Sequence, residues 1–411
     1  MNSLRTDILR THAGLGGMLG GLLVLAATST ALAQEKPGVV NVDCTQGETI
    51  SRAFTRGNES RPLLVLVRGT CNESVLIDRS DVTIRGETGF GGGIAGPDPN
   101  IDTVTVTASR ATLEGLTITG GRNGITVSGA AGLTVRNATV QNTGRTGIAF
   151  VFGASGVIDS CTIQLNPRDG VVVSAAQATV VNSAVSQNRN GVLVLDGGSA
   201  RIGVDNRNAP GGNTISMNGS SGIVVSNGSA ASIAMNQITG NGADPAAPGG
   251  GVLVISSAAV IAGGNTISGN VTQGVFARSA SVVIGDPGLG LPTVNTITGN
   301  GTGSAGGVFG ILGASIVIRD AVISGNSGVG LGLSLKSQAQ LFGSTIQNNP
   351  GDGIRLLLGS ALLILPPSTA VSGNTGFGLQ CLDSESSVAN TGLLTLSGNV
   401  AGDIAPGCSG F

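Results

Sequence analysis

The stretch IQLNPRDGVVV, residues 163–173, places an asparagine three residues after an aliphatic residue, followed by a glycine and a run of valines. The same phrase returns about every 23 residues, for example over residues 267–275 and 346–354. A repeat of this length is typical of a solenoid, in which each repeat forms one coil and the core runs along the stack.

The glycine of each phrase marks the start of a predicted strand. Apolar residues then occupy every second position, as in Val171/Val173 and Val192/Val194, which is the period of a strand with one buried face. We expect these residues to form the core of an all-β solenoid of about 12 coils. The strand-opening glycines are Gly124, Gly147, Gly170, Gly191, Gly222, Gly251, Gly274, Gly307, Gly330, Gly353 and Gly376.

Asparagines align into two columns when the repeats are superposed. Identical amides stacked at the strand spacing of about 4.8 Å can hydrogen-bond from coil to coil. We interpret both columns as structural ladders; a row of amides that binds a ligand is the alternative. The long column is Asn166, Asn188, Asn218, Asn241, Asn270, Asn300, Asn326, Asn349, Asn374 and Asn399, and the short one is Asn213, Asn236, Asn265 and Asn295.

Insertions lengthen some repeats at their turns. The segments from Ile202 to Ile215 and from Ile284 to Ile297 enlarge one turn, and residues 242–250 enlarge another. Inserted loops cost a solenoid little stability and are where its function tends to lie.

The composition excludes several classes of protein. Glycine supplies 70 of the 411 residues without a collagen period, and the apolar share of 40% is too high for a disordered chain. A formal net charge of -2 argues against nucleic acid as a partner.

The N-terminus has the pattern of a secretory signal peptide over residues 1–33. Arg5 and Arg10 precede an apolar stretch, and the small-residue end Ala31-Leu32-Ala33 follows it. No later stretch is long and apolar enough to span a bilayer. His12, the only histidine, lies in this segment, so histidine-based catalysis and histidine metal sites are not expected in the mature chain. We therefore expect a secreted protein, which is extracellular, surface-attached or periplasmic.

Five cysteines remain in what is then an oxidising compartment. We predict disulfides Cys44–Cys71 and Cys381–Cys408, one at each end of the chain. Cys161 falls in a column of small residues, so a small core residue is expected there rather than a reactive thiol.

The phrase, the asparagine ladder and the opening segment Val40–Gly86 resemble the right-handed parallel β-helix proteins of the pectin-lyase-like superfamily. The resemblance covers residues 38–408 and implies that fold, with a short capping helix near Thr49–Thr55. We divide the chain into the signal peptide (1–33), the cap and first coils (34–110) and the repeats with a disulfide-tied final coil (111–411).

The family's activities are restricted by the residues present. Without a histidine the mature chain lacks the Gly-His-Gly of polygalacturonases and the Asp-Pro-His of alginate epimerases, and a Gln-Asp stretch like that of the pectin methylesterases is missing. A lyase that uses arginine and Ca²⁺ stays open, although the acidic residues are scattered. We predict no catalytic residue, no metal ligand and no cofactor; Ca²⁺ is required only by the lyase alternative.

Four arginines form a further column, each two residues before the strand-opening glycine. They are Arg122, Arg145, Arg168 and Arg189, with Asp169 beside the third. Guanidinium groups stacked at the strand spacing repel unless an anion lies along them, and their geometry suits carboxylates and sulfates. The hypothesis is a binding row for an acidic polysaccharide; the alternative is a set of solvated turn arginines.

A column of apolar residues is predicted to face outward, one residue per coil. Such a stripe suggests self-association or another contact, whereas a register one residue different would place it in the core. The residues are Val172, Leu193, Val224, Leu253, Phe276 and Phe309.

The sequence thus favours a secreted, non-catalytic β-helix that binds acidic polysaccharide or serves as an adhesin-like rod. The alternatives are a uronate polysaccharide lyase and a purely structural module. Fold alone does not choose among these functions.

Overall fold

The structure is a computed structural model that describes residues 37–56, 62–247, 249–285, 288, 294–302 and 306–408. The predicted signal peptide at residues 1–33 lies outside the described residues. In the described part, each coil contributes one short strand to each of three sheets, called A, B and C in the order in which the chain visits them, and all neighbouring strands are parallel. The all-β solenoid expected from the repeat is confirmed.

Sheets A and B are joined because one long strand, Leu63–Asn72, runs from the first into the second. Sheet A contains Gly38–Asp43, Leu63–Asn72, Val82–Gly86, Ala111–Glu114, Gly132–Arg136, Ser155–Asp159, Gln177–Val181, Ser199–Ile202, Ala230–Ile233, Ala258–Ile261, Ser281–Ile284, Ser315–Arg319, Gln338–Phe342, Ala361–Leu365 and Ser387–Ala389. Sheet B continues with Gly92–Gly96, Thr117–Gly120, Thr139–Gln141, Thr162–Gln164, Ala184–Ser186, Thr214–Ser216, Gln237–Thr239, Thr266–Ser268, Thr296–Thr298, Val322–Ser324, Thr345–Gln347, Thr369–Ser372 and Leu394–Ser397.

Sheet C has 14 strands within the described residues. The stack is therefore slightly longer than the dozen coils predicted, because the first and last coils lack the repeated phrase. The strands are Val75–Ile77, Val104–Val106, Ile125–Ser128, Ile148–Val151, Val171–Ser174, Val192–Leu195, Ile223–Ser226, Val252–Ile255, Val275–Arg278, Val308–Ile311, Leu331–Leu333, Ile354–Leu356, Phe377–Cys381 and Gly402–Ile404.

The core is a continuous column of aliphatic side chains inside the three sheets. Val171 and Val173, predicted as core from their alternation, are fully buried, whereas Val172 between them is only half-buried. The strand register places Val171 beside Val192 of the next coil. Like side chains therefore stack from coil to coil, and burial of this column supplies most of the stabilising free energy.

The glycine of the phrase packs against the aliphatic residue and the asparagine of the following coil. A Cβ placed on Gly222 would lie 2.7 Å from Ile238 Cγ2 and 2.9 Å from Asn241 Nδ2. The phrase recurs because its three fixed residues contact one another between coils. One assignment needs correction: Gly378, not Gly376, holds this position in the last full coil, since a Cβ there would meet Asn399 Nδ2 at 2.6 Å.

Both asparagine ladders are confirmed. In the long ladder each side-chain Nδ2 donates to the Oδ1 of the next asparagine, from Asn166 to Asn399, over 2.8–3.2 Å. The short ladder has the same geometry between Asn213 and Asn295. Thr143 begins the long ladder and Asp403 ends it, each through a side-chain hydrogen bond. These amides are buried, so the ligand-binding alternative is wrong.

The N-terminal end is closed by a helix, as the sequence predicted. It spans Ile50–Arg56, and Ile50 and Ala53 are buried against the first coil. The Glu73 carboxylate accepts hydrogen bonds from the backbone N–H groups of Ile50 and Ser51, which have no partner within the helix. Short 3₁₀ turns are formed by Cys44–Gln46 near this helix and by Thr391–Leu393 near the other end of the stack.

Both predicted disulfides are present, one at each end of the stack. Cys44 bonds to Cys71 and Cys381 to Cys408, with Cα–Cα distances of 5.0 Å in each. Each bond ties a terminal coil to the coil beside it.

None of the helices in the described part of the chain has the length and apolar character needed to cross a membrane.

The insertion after Ile202 forms a small flap at the turn between sheets A and B. Val204 and Pro210 pair across it, and Val204 is buried against Ala234 and Ala262 of the next two coils. The matching insertion after Ile284 lies mostly outside the described residues.

Cys161 is a buried thiol, as predicted. Its Sγ donates to the backbone oxygens of Val135 and Asp159, and burial raises its pKa to about 11.

The Cys161 thiol should be protected in the folded protein, since the thiolate is the reactive form. We expect no labelling of the native protein by a thiol reagent at about pH 8 and one labelled thiol after unfolding without reductant. Rapid labelling of the native protein would show that this coil opens.

Candidate functional site

The predicted arginine column lies on the turns that lead from sheet B to sheet C. The backbone N–H of Arg168 donates to the carbonyl of Arg145 at 2.9 Å, and that of Arg189 donates to the carbonyl of Arg168. These three residues therefore occupy equivalent positions in successive coils, about 4.8 Å apart. All three side chains are exposed. We use one name, the arginine turn, for the three stacked turns that carry Arg145, Arg168 and Arg189.

Arg122, the fourth member of the predicted column, differs because it is already paired. Its Nε and Nη2 donate to the two carboxylate oxygens of Asp102 at 2.9 and 3.0 Å. A bidentate pair of this kind is the strong form of the interaction and leaves little free charge. Arg122 is thus placed in line with the arginine turn but does not contribute an unpaired cation to it.

Asp169, the predicted neighbour of the arginines, points inward and is buried at 9% exposure. Its Oδ1 accepts a hydrogen bond from Asn190 Nδ2 at 2.7 Å. Burial raises the pKa of this carboxyl, and the Asn190 hydrogen bond and the charges of Arg189 and Arg168 oppose that rise only in part.

A column of polar side chains, which the sequence reasoning missed, lies directly beneath the arginines. The N–H of Asn123 donates to Asp102, that of Thr146 to Asn123, and that of Ser221 to Asn190, each through a side-chain oxygen 3.1–3.2 Å away. We call Asp102, Asn123, Thr146, Asp169, Asn190 and Ser221 the inner polar column. The sequence could have revealed this column, because each of its residues lies one position before the residue that opens a strand of sheet C.

The two aspartates of the inner polar column have opposite pKa shifts. Burial alone would raise the pKa of Asp102, but hydrogen bonds from Arg122, Thr126 and Asn123 outweigh burial and hold that pKa below its usual value. Asp169 has no arginine hydrogen bond in the described structure. Its charge is therefore the less stable of the two.

Longer turns lie on both sides of the arginine turn. Residues 97–102 lengthen the turn that lies two coils before the turn of Arg145. There the carbonyl of Ile101 accepts a hydrogen bond from the N–H of Arg122. Residues 242–247 belong to the turn that follows the coil of Ser220, and the N–H of Asp244 donates to the carbonyl of Gly219 at 2.7 Å. The arginines thus occupy a segment of plain turns between two inserted ones.

The apolar column faces outward on sheet C, as predicted, and the alternative register is wrong. Strand pairing aligns its members in one row. Val224 is the most covered, and the rings of Phe276 and Phe309 are stacked with centroids 6.3 Å apart.

This row gives self-association no support. It is one side chain wide and about 24 Å long at the strand spacing, which offers on the order of 150 Å². A stable protein interface needs about 800 Å² from each partner.

The described residues contain no group of three acidic, cysteine or histidine side chains placed to hold a metal ion. The donor set required by the Ca²⁺-dependent lyase alternative is therefore not found among them.

Comparisons with known proteins agree with this architecture. The model of the right-handed β-helix region matches residues 67–211, 106–261 and 250–405. No curated protein matches the chain.

Among solved structures, the catalytic unit of a GH87 α-1,3-glucanase from Streptomyces thermodiastaticus has 12% identity, and the match covers 93% of this chain and 72% of that one at a TM-score of 0.50. The Dettilon tailspike protein has 13% identity over 79% of this chain at a TM-score of 0.49, and this chain spans 63% of its length. The periplasmic alginate epimerase AlgG has 12% identity, with 90% and 84% coverage and a TM-score of 0.47.

Likeness at this level of identity concerns the fold. The family match spans most of the described chain, and the stacked parallel coils agree with it. The chain belongs to the right-handed β-helix family.

Proposed function

We propose that this protein is an exported, non-catalytic β-helix that binds an acidic polysaccharide along Arg145, Arg168 and Arg189. The observation that carries the proposal is the lack of a carboxylate partner for these three exposed side chains in the described structure. A polymer laid along the coil axis would meet one guanidinium in every coil.

Other arginines of the same region are paired. Arg85 donates to Glu114 at 2.7 Å, and Arg110 forms two bonds of 2.6 Å with Asp81. Arg136 lies 3.6 Å from Glu114. The chain therefore neutralises most of its arginines in these coils, and the arginine turn is the exception. Three cations in adjacent coils that lack a salt-bridge partner in the described structure repel one another, and an external polyanion removes that repulsion.

The strength of the proposed interaction follows from its exposure. A single ion pair in contact with water contributes about 0.2–1 kcal/mol, so three of them give modest affinity that decreases with salt. A repeating polymer compensates because each additional contact forms at high effective concentration once the first has formed.

Export is part of the proposal. Two disulfides stabilise the ends of the stack, and disulfides persist in oxidising compartments. The signal-peptide pattern of residues 1–33 supports the same compartment.

The test replaces Arg145, Arg168 and Arg189 together by serine. We expect on the order of tenfold weaker binding to pectate, alginate or a sulfated glycan at low salt, because three exposed ion pairs are lost. The matched control replaces Arg52, Arg207 and Lys336, which are exposed elsewhere and whose loss changes the net charge equally. Binding by isothermal titration calorimetry should change less than about twofold in this control.

A further variant separates the paired arginine from the unpaired ones. Arg122→Ser should leave binding nearly unchanged, since its charge is held by Asp102. If the triple variant binds as tightly as the wild type, or if the charge control loses as much affinity, the arginine turn is excluded as the binding site. The purely structural module is then the remaining function. A product that absorbs in the ultraviolet during incubation with a uronate polymer, with or without Ca²⁺, would instead establish a lyase.

A further inference from the structure

The inner polar column contains a carboxylate that the proposed binding role leaves unexplained. Asp169 is buried directly beneath the arginine turn, where its charge partly cancels the field of Arg168 and Arg189. An acidic side chain at this position weakens the attraction between the arginines and a polyanion. A neutral polar residue, such as Thr146 of the preceding coil, would fit the same column.

The surroundings of Asp169 identify what its charge interacts with. The preceding turn carries Arg145 and the neutral Thr146, and the N–H of Gly147 there donates to the Asp169 carbonyl at 3.0 Å. The following turn carries Arg189 and the neutral Asn190, whose Nδ2 donates to Asp169 Oδ1. The charged groups on these turns are thus all cationic, and none of them donates a hydrogen bond to the carboxylate in the described structure.

Building on the binding role proposed above, we propose that Asp169 is an internal counter-anion that takes up a proton from solvent when a polyanion occupies the arginine turn. The proton goes to the carboxylate oxygen that does not accept from Asn190. Protonation releases Arg168 and Arg189 to the polymer, and binding is therefore coupled to pH.

The sign of the coupling follows from electrostatics. Burial already favours the neutral acid, since the pKa of Asp169 is raised above its usual value in the free protein. Anions of a bound polymer favour the neutral form further, so the bound state holds more protons than the free state. By linkage, affinity rises as pH falls below the pKa of Asp169 in the complex and levels off once pH is below its pKa in the free protein.

The experiment uses the mature protein and dextran sulfate, whose sulfates stay charged from about pH 8 to about pH 4, so that the pH dependence reports the protein. We expect the wild type to bind about fivefold more tightly at the acid end of this range. Titration in two buffers of different ionisation enthalpy should show net proton uptake by the protein on binding.

Asp169→Asn is the decisive variant, because the amide keeps an oxygen to accept from Asn190. It should bind at pH 8 as tightly as the wild type does under acidic conditions, with a flat pH profile and no proton uptake from this site. Asp169→Ser provides a second, smaller replacement in case the amide disturbs the turn, and the same flat profile is expected.

The outcomes separate this inference from the proposal it rests on. If the triple arginine variant binds like the wild type, the binding role itself fails. If the arginines are required but both Asp169 variants keep the wild-type pH profile and proton uptake, Asp169 is not the linked group and only this inference is overturned.

Discussion

Replacement of Asn241 by alanine is expected to lower the free energy of unfolding by on the order of 4 kcal/mol, because it interrupts the long ladder in mid-stack. Asn241 is fully buried. Its Oδ1 accepts from the N–H and the Nδ2 of Asn218 at 3.1 and 2.9 Å, and its own Nδ2 donates to the Ile215 carbonyl and to Asn270. Alanine leaves several of these groups without a partner in a place that water does not reach, and each costs about 1–3 kcal/mol.

The measurement is the midpoint and slope of guanidinium denaturation followed by circular dichroism. Asn206→Ala is the control, since Asn206 is exposed and, in the described structure, its side chain accepts one hydrogen bond, from the Thr179 hydroxyl; its effect should stay within about 1 kcal/mol. Loss of Asn241 with no more effect than this control would show that the ladder is not a source of stability.

Asn241→Asp distinguishes hydrogen bonding from side-chain volume, because the two side chains have the same shape. The ionised carboxylate cannot donate, and it faces the oxygens of Asn270 and Ile215. We expect it to be at least as destabilising as alanine near neutral pH. Since a buried, repelled carboxyl has a raised pKa, stability should recover in part as pH falls and the acid becomes a donor.

The fold followed from the sequence because the residues that repeat are those that contact their own copies. A ladder asparagine hydrogen-bonds to another asparagine, and a core valine stacks on a core aliphatic residue. In a parallel stack one contact recurs with each coil, so a periodic sequence reveals it. Even the two ladders could be separated, since each has its own constant distance from the aliphatic residue of the phrase: the long ladder lies three residues after it and the short ladder two residues before it.

The candidate site was predicted less completely because the coil that carries Asp102 lacks the repeated phrase. Asp102 is equivalent to Asn123 of the next coil, but its strand opens after Thr103 rather than after a glycine, so an alignment on the glycines does not reach this carboxylate. Spacing alone therefore could not show that Arg122 is paired. The burial of Asp169 was equally hidden, because a charged residue in a turn is usually solvated.

Replacement of Gly251 by alanine is expected to destabilise the protein by about 2–3 kcal/mol, although alanine normally orders a chain at less entropic cost than glycine. An added Cβ would lie 2.5 Å from Ile267 Cγ2, 2.7 Å from the Gly274 carbonyl oxygen and 2.9 Å from Asn270 Nδ2. All three belong to the next coil and are held by backbone pairing or by the ladder. The methyl group must therefore push the two coils apart and stretch the hydrogen bonds between them.

Gly392→Ala is the matched control, because nothing lies within 4 Å of its added Cβ and its backbone is not in the left-handed region. Its denaturation midpoint should be unchanged or slightly higher, so the same substitution has opposite signs at the two positions. A double variant, Gly251→Ala with Ile267→Ala, tests the cause. If the clash with Ile267 is responsible, the double variant loses less stability than the sum of the single variants, with a coupling of about 1 kcal/mol. Strict additivity would place the strain elsewhere and contradict the explanation of why glycine recurs in the phrase.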